Sequence, residues 1–299
     1  MSPDKGASRL RCSFAADERG DQLAGTAAHA RGFLLIESPG AWGPNALSES
    51  RLDPEIASIV ATRAAAVSYR VLLIKRPGRS QANPRRRWFV IDSSPGAEAV
   101  IEGSYASDRD LLDIPLDAGR GDGTLPTMYL VCTHGRHDAC CALRGRAVAA
   151  SLVEQRPDLV WECSHIGGDR FAPNVLVLPQ GLYYGRVQPS RSPDLIESHE
   201  RSEVVVDLLR GRAAFRPVVQ AAQHFARIEN GSRSITDLEP LWVRETGTGE
   251  IRVDLAHREG TLSVTVRAVA GETAGLLTCK ATHPMHPPSF ALQAIDTQH

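Results

Sequence analysis

The chain lacks the features that mark a membrane-spanning, secreted or nucleic-acid-binding protein. Its uncharged apolar runs fall short of the ~20 residues that a transmembrane helix needs. The polar segment 1–21 has no apolar stretch of the kind found in a signal peptide. The formal net charge of −1 gives no overall basic field to attract nucleic acid or an anionic membrane. We therefore expect a cytoplasmic protein, with reduced thiols, that binds neither nucleic acid nor a membrane.

Several catalytic motifs are also absent. The sequence has no G-x-G-x-x-G or GK[ST] phosphate loop, no G-x-S-x-G nucleophile elbow and no C-x-x-C redox pair. A cysteine phosphatase loop starting at Cys132 would need arginine at the sixth following position, which is Asp138. No pair of acidic residues stands out as the two carboxylates of a glycosidase. These absences remove the support for the enzyme classes that the motifs mark.

What the sequence does contain is a concentration of cysteine and histidine in two short segments, 132–141 and 163–170. They hold four of the six cysteines and three of the ten histidines. Thiolates with nearby imidazoles suit zinc or an iron–sulfur cluster better than oxygen-seeking ions. Cys12 and Cys279 stand alone in the sequence, and we interpret them as small buried hydrophobic residues.

The first 125 residues have the pattern of an α/β unit. Short apolar runs predict three strands, and a helix is expected to start at Asp53 as N-cap followed by Pro54. A linker rich in glycine and aspartate follows at 117–124. The predicted strands of this unit are 33–36, 71–74 and 88–91.

The middle of the chain predicts the order strand, loop, helix, strand, loop, hairpin, helix, which is a thioredoxin-like order. After a second helix, the alternating tail predicts a small antiparallel β-meander. The predicted elements are strands 128–131 and 159–162, a helix reaching 154, a hairpin of 175–178 with 182–187, and helices starting at 192 and 218. The corresponding domains are an N-terminal α/β domain at 1–125, a thioredoxin-like domain at 126–235 and a β-rich extension at 236–299.

Two pairs of candidate ligands follow the ends of predicted strands. Eight residues separate Cys132 from Cys141, and three separate His165 from Asp169. The double glycine at 167–168 allows the second loop to curl tightly and to present backbone N–H groups. Because rigid strand ends are suitable places to hold a site, we expect the two pairs to converge.

Three stretches resemble the sucrase/ferredoxin-like family: CTHGRHDACC, SHIGGDRFAPN and NVLVLPQGLYYGRV, within 132–187. The hairpin and the helix after it also resemble thioredoxin-like [2Fe–2S] ferredoxins. Segments 25–27, 38–44 and 277–279 look like the family too, so the resemblance covers nearly the whole chain. It implies an α/β fold: a thioredoxin-like ferredoxin domain preceded by an α/β domain and followed by a small β-meander.

The resemblance also implies ligands for a [2Fe–2S] cluster. Characterised members of the family hold the cluster with a cysteine pair and an H-x3-H pair, so Cys132 and Cys141 match the thiolate ligands and His165 an imidazole ligand. Asp169 stands where the second histidine is expected. The fourth ligand is then Asp169 or a substitute, and the candidate substitutes are Cys163, Cys140, His134 and His137.

The implied function is that of an iron–sulfur electron-transfer protein with a redox partner, either a reductase or an electron acceptor. Two other functions stay open from the residues themselves. One is a zinc-stabilised binding module that uses Cys132, Cys141, Cys163 and His165. The other is a thiol-dependent oxidoreductase with Cys132 as its reactive group.

Overall fold

A computed structural model of the chain describes residues 11–78, 85–117, 119, 127–247, 249–258 and 260–298. Apart from Asp117 and Gly119, the predicted linker at 117–124 lies outside these residues, as does the predicted boundary between 125 and 126. The three-domain division stays a prediction. The fold class agrees with the sequence analysis: a mixed α/β structure with a large sheet is followed by a small antiparallel sheet.

The described residues form five α-helices and thirteen strands, with short 3-10 helices at Asp108–Asp113, Asp169–Phe171 and Pro189–Arg191. The helices are α1 (Cys12–Glu18), α2 (Pro54–Ala66), α3 (Ala139–Gln155), α4 (Ser192–Glu200) and α5 (Pro217–Asn230). The strands are β1 (Gly32–Glu37), β2 (Tyr69–Lys75), β3 (Arg86–Asp92), β4 (Ala99–Tyr105), β5 (Met128–Cys132), β6 (Val160–Cys163), β7 (Val175–Leu178), β8 (Leu182–Tyr184), β9 (Leu209–Arg212), β10 (Pro240–Glu245), β11 (Glu250–His257), β12 (Gly260–Ala270) and β13 (Pro288–Gln298).

The large sheet has nine strands in the order β4-β3-β1-β2-β6-β5-β7-β8-β9. Two strand pairs are parallel, β1 with β2 and β5 with β6, while the other pairs are antiparallel. The two halves of the sheet join where β2 meets β6, with Ile74 opposite Cys163. Strands from both sides of the predicted 125/126 boundary therefore share one hydrogen-bonded sheet.

Successive side chains along β5 point alternately into two different buried cores. Leu130 and Cys132 on β5 face one core, whereas Tyr129 and Val131 face a second core that includes Val148 and Leu152 of α3. A two-residue period of this kind follows from the pleat of the strand. It places the Cys132 side chain on the face away from the body of α3, at the last position of its strand.

Most predicted elements are present, with longer bounds than the sequence indicates. Asp53 caps α2 by accepting from the N–H groups of Glu55 and Ile56, and Pro54 is the first helical residue, as predicted. The predicted strand at 182–187 ends earlier, at Tyr184. The sequence analysis missed α1, β4 and β9, because each is short and has no clear apolar period.

The four-stranded sheet in the order β10-β11-β12-β13 matches the predicted β-meander. Its apolar face packs against α5, where Val253, Val264 and Val266 contact Val219 and Ala222 in one buried layer. Within the described residues, no helix is both long enough and apolar enough to cross a membrane.

Candidate metal centre

The candidate ligands lie at the carboxyl ends of β5 and β6, as the predicted strand order indicates. These strands are parallel, with Cys132 in register with Cys163, so the loops that follow them leave the sheet at the same edge. The first loop leads into α3, which begins at Ala139. The second leads into the 3-10 helix at Asp169–Phe171.

Three predicted ligands converge at this edge. The sulfur atoms of Cys132 and Cys141 and a ring nitrogen of His165 lie within 4.8 Å of one another. Cys132 is fully buried and Cys141 is 1% exposed, whereas the His165 side chain keeps 26% of its surface exposed. The two thiols therefore form the buried side of the group and the imidazole its outer side.

Asp169 adjoins this group from the second loop. Its Oδ1 accepts a hydrogen bond from the Cys141 thiol at 3.3 Å and lies 3.0 Å from His165 Nδ1. The contact with His165 is an ion pair, because the imidazole Nδ1 and the carboxylate oxygen are not aligned for a hydrogen bond. Asp169 thus contacts two of the three converging residues, although it lies outside their group of donors within 4.8 Å; with His137 and His165 it forms a second such group.

The suggested substitutes for Asp169 are placed differently. Cys163 falls outside the group of donor atoms within 4.8 Å, although it is buried beside Cys132. The sulfur of Cys140 lies against other cysteines. The His137 ring stacks on His165 with centroids 3.7 Å apart, and its Nε2 is 3.7 Å from Asp169 Oδ2.

His134, the remaining substitute, uses both ring nitrogens to support the loops. Its Nδ1 accepts from the backbone N–H of His165 at 3.3 Å, so Nε2 carries the proton and donates to the Gly43 carbonyl at 2.7 Å. Burial lowers the pKa of His134, which favours this neutral form. The ring meets Trp42 edge-on, so the loop at 38–44 braces both ligand loops.

The double glycine in the second loop is required by its backbone and by a buried arginine. Gly167 and Gly168 have φ angles of +96° and +78°, and a Cβ on Gly168 would lie 2.4 Å from Nη2 of Arg210. Arg210 Nη1 donates to the Gly167 carbonyl at 2.8 Å and to Asn174 Oδ1 at 2.9 Å. Burial lowers the pKa of Arg210 to about 10, and the side chain stays charged at neutral pH.

Within this group, the surroundings favour the anionic forms of Cys132 and Asp169 and the cationic form of His165. A hydrogen bond from Cys141 lowers the pKa of Cys132 well below its ordinary value; burial opposes this effect, and His165 reinforces it. The same hydrogen bond, together with burial, raises the pKa of Cys141. Burial disfavours the charged form of His165, but Asp169 and Cys132 outweigh it and raise its pKa to about 9. The ionised form of Cys132 is therefore favoured beside a protonated His165.

This ion pair predicts a pH dependence. Because the His165 imidazolium persists up to pH about 9, it adds at neutral pH to the hydrogen bond from Cys141 that lowers the pKa of Cys132. Replacing His165 with Asn removes that cation, so the pKa of Cys132 should rise by about 1–3 pH units. The measurement is the ultraviolet absorbance of thiolates in the metal-free protein as a function of pH.

A matched control for this titration is His137→Asn. His137 stacks on His165 but is not among the main groups that shift the pKa of Cys132, so its loss should leave the titration of the Cys132 thiol close to that of the native protein. Identical titrations of the native protein and the His165→Asn protein would show that His165 does not ionise Cys132.

A second group of thiols was not anticipated. Cys12 and Cys279, interpreted from sequence as isolated, both contact Cys140, with sulfur–sulfur distances of 3.7 Å and 3.3 Å. No spacing rule connects residues so far apart in the chain. Their only shared signal in the sequence is that they are cysteines.

The comparison with curated proteins finds no match to the chain. Two solved structures of thioredoxin-like [2Fe–2S] ferredoxins from Aquifex aeolicus match a part of it. One is 21% identical, covers 30% of this chain and 94% of its own, and has a TM-score of 0.27. The other, a wild-type protein, is 25% identical, covers 29% and 97%, and has a TM-score of 0.26.

The family comparison covers most of the chain. The model of the sucrase/ferredoxin-like family matches residues 23–211. The matched region spans β1 to β9 and so includes both ligand loops and the arginine that supports the second. The chain belongs to the sucrase/ferredoxin-like family.

Proposed function

We propose that the protein is an electron carrier that holds one [2Fe–2S] cluster with Cys132, Cys141, His165 and Asp169. The observation that carries the proposal is the convergence of two buried thiols and one imidazole within 4.8 Å at the end of two parallel strands. Membership of the sucrase/ferredoxin-like family supports it. When bound, such a cluster accepts and releases one electron.

The donor set fits this group. Thiolates and imidazoles are the ligands that iron–sulfur clusters use in proteins, and the lowered pKa of Cys132 favours the thiolate form that ligation needs. In the metal-free protein, the proton on His165 supplies a positive charge beside Cys132 and Asp169. Ligation through His165 would expel this proton and replace its charge by that of iron.

The donor set also includes an anion where the family places a neutral imidazole. Asp169 is buried, 4% exposed, with a pKa kept below its ordinary value by His165 against the effect of burial. All-thiolate clusters of the plant type have potentials of about −400 mV, and two histidines on one iron raise this to roughly −150 to +300 mV. With one imidazole and one carboxylate, we expect a value between these ranges.

The outer side of the group suits exchange with a partner. A cavity of about 340 Å³ opens beside His165 and His137 and is lined further by Pro44, Ala46 and Leu47. A reductase or an electron acceptor that docks over this cavity would approach the imidazole side, which is the exposed side of the group. We place this exchange in the cytoplasm, where the six free thiols stay reduced.

The two other candidate functions have less support. A zinc module built on Cys132, Cys141, Cys163 and His165 would need Cys163 as its fourth donor, whereas the side chain that contacts both Cys141 and His165 is Asp169. An oxidoreductase with Cys132 as nucleophile would need an accessible sulfur, and Cys132 is fully buried.

Anaerobic purification followed by metal and sulfide analysis tests the proposal. We expect a coloured protein with iron and acid-labile sulfide in equal amounts, and a paramagnetic signal after one-electron reduction. A colourless protein without iron, even after reconstitution with iron and sulfide, would contradict the cluster. Zinc bound at Cys132 and Cys141 in such a protein would favour the binding module instead.

A further inference from the structure

Three cysteines from distant parts of the chain meet next to the cluster site. Cys12 opens α1, Cys140 lies in the first turn of α3, and Cys279 lies between β12 and β13. Their sulfur atoms form a triangle with sides of 3.7 Å (Cys12–Cys140), 3.3 Å (Cys140–Cys279) and 3.4 Å (Cys12–Cys279). All three thiols are free.

A carboxylate faces this triangle. Asp138 is 1% exposed, and its two oxygens lie 3.8 Å and 3.7 Å from the Cys12 sulfur. Oδ1 accepts from the backbone N–H of Cys140 at 2.9 Å and Oδ2 from that of Cys279 at 2.6 Å. These two bonds fix the orientation of Asp138. Each of its oxygens has a second lone pair, so both oxygens can still accept a hydrogen bond or bind a cation.

The four residues have the donor types and the spacing of a metal site. One ligand atom from each of the four lies within 4.8 Å of the others. Thiolates bound at about 2.3 Å to a tetrahedral zinc ion lie roughly 3.8 Å apart, close to the sulfur–sulfur distances of this triangle. Asp138 supplies a fourth donor of a type that zinc accepts.

Packing of the cysteines as small hydrophobic residues explains less of this arrangement than a metal site does. Asp138 caps α3, and the N–H groups of Cys140 and Cys279 compensate its charge. Hydrophobic packing and capping together do not account for three sulfurs meeting beside this carboxylate. A disulfide would join two of the three sulfurs and leave the third beside Asp138. A divalent cation uses all four groups at once and neutralises part of their charge.

We propose that Cys12, Cys140, Cys279 and Asp138 bind a Zn²⁺ ion in a site separate from the cluster site. Binding displaces the thiol protons to solvent and gives a closed set of four protein donors, which is the composition of a structural zinc site. The site would tie α1 and the segment before β13 to the start of α3.

The proposal also explains the adjacent pair Cys140 and Cys141. Successive residues of an α-helix point about 100° apart, so two neighbouring side chains can serve two different sites. Cys141 turns to Cys132 and Asp169, whereas Cys140 turns to Cys12 and Cys279. Zinc would then fix the helix turn that presents Cys141 to the cluster.

Metal analysis of single variants separates the two sites. The protein is produced with iron and zinc in the medium, purified without oxygen and analysed for both metals. We expect a single zinc ion per native chain, and at least about tenfold less zinc in the Cys279→Ser protein with its iron and visible spectrum kept. Cys132→Ser should lose its iron and keep its zinc. Cys163→Ser removes a buried thiol outside both groups and should keep its zinc.

A second measurement decides the case in which Cys279→Ser loses both metals. Co²⁺ is added to metal-free Cys132→Ser protein and to the double variant Cys132→Ser/Cys279→Ser, and thiolate-to-cobalt absorption is compared. The proposal requires a strong band in the first and its loss in the second. Equal bands, a native protein that binds neither Zn²⁺ nor Co²⁺ at this site, or a Cys140–Cys279 disulfide in the purified protein would overturn it. Failure of the cluster proposal would appear differently, as missing iron with zinc at the native level.

Discussion

Replacing Cys132 with serine is expected to remove the cluster, with iron content and visible absorbance falling at least tenfold. The sulfur of Cys132 is fully buried at the end of β5, and its pKa is lowered well below the ordinary value, which favours the thiolate. Serine keeps the shape but offers a hydroxyl in place of a thiolate, which iron binds much less well. The measurement is iron and sulfide content after anaerobic purification, alongside the visible spectrum.

Cys163→Ser is the matched control for this variant. Cys163 is also fully buried, pairs with Cys132 across the two parallel strands and belongs to the same apolar core. The penalty for burying a hydroxyl, about 1–3 kcal/mol without a new hydrogen bond, is similar for both variants. A difference in iron content therefore reports ligation. Loss of iron in Cys163→Ser with retention in Cys132→Ser would replace Cys132 by Cys163 in the ligand set.

The convergence of the first three candidate ligands was predictable because it depends on local order. Cys132 is the last residue of β5 and His165 follows β6, and two parallel strands joined by a helix end at the same edge of the sheet. Cys141 lies in the first turn of that helix, which returns to the strand end. Spacing and strand order together are enough to bring these three side chains near one another.

The supports of the site were not predictable in the same way. Arg210 holds the Gly167 carbonyl from β9, a short strand that the sequence analysis missed. Trp42 braces His134 from a loop whose glycines and prolines indicate only a turn. Such contacts depend on how segments that are distant in the sequence pack together. No local period or spacing in the sequence predicts this packing.

The second thiol group shows the same limit more strongly. Cys12 and Cys140 are 128 positions apart, and Cys279 lies 139 positions beyond Cys140. Whether residues so far apart in the chain come into contact depends on the whole fold. A sequence pattern therefore does not indicate that these three cysteines are neighbours. The burial of Cys12 was predictable from its type, while its partners were not.

Replacing Asp169 should give opposite results depending on the new side chain. Asp169→Ala removes the carboxylate that contacts Cys141 and His165, so we expect loss of most of the cluster. Asp169→His would give, together with His165, the H-x3-H pair that the resemblance to the family implies, so the cluster should be retained. Iron and sulfide content measure retention, and Asp169→Asn serves as the control that keeps the shape of the side chain without its charge.

The reduction potential of the Asp169→His protein makes this test specific to ligation. A carboxylate adds a negative charge to the iron it binds, and an electron is harder to add to a more negative centre. Exchange for neutral imidazole should therefore raise the potential by at least about 100 mV, toward the range of clusters with two histidines. A potentiometric titration followed by visible absorbance gives this value. If Asp169→Ala instead kept both the native cluster content and the native potential, Asp169 would be a neighbour of the cluster, and His137, which stacks on His165, would be the next candidate for the fourth ligand.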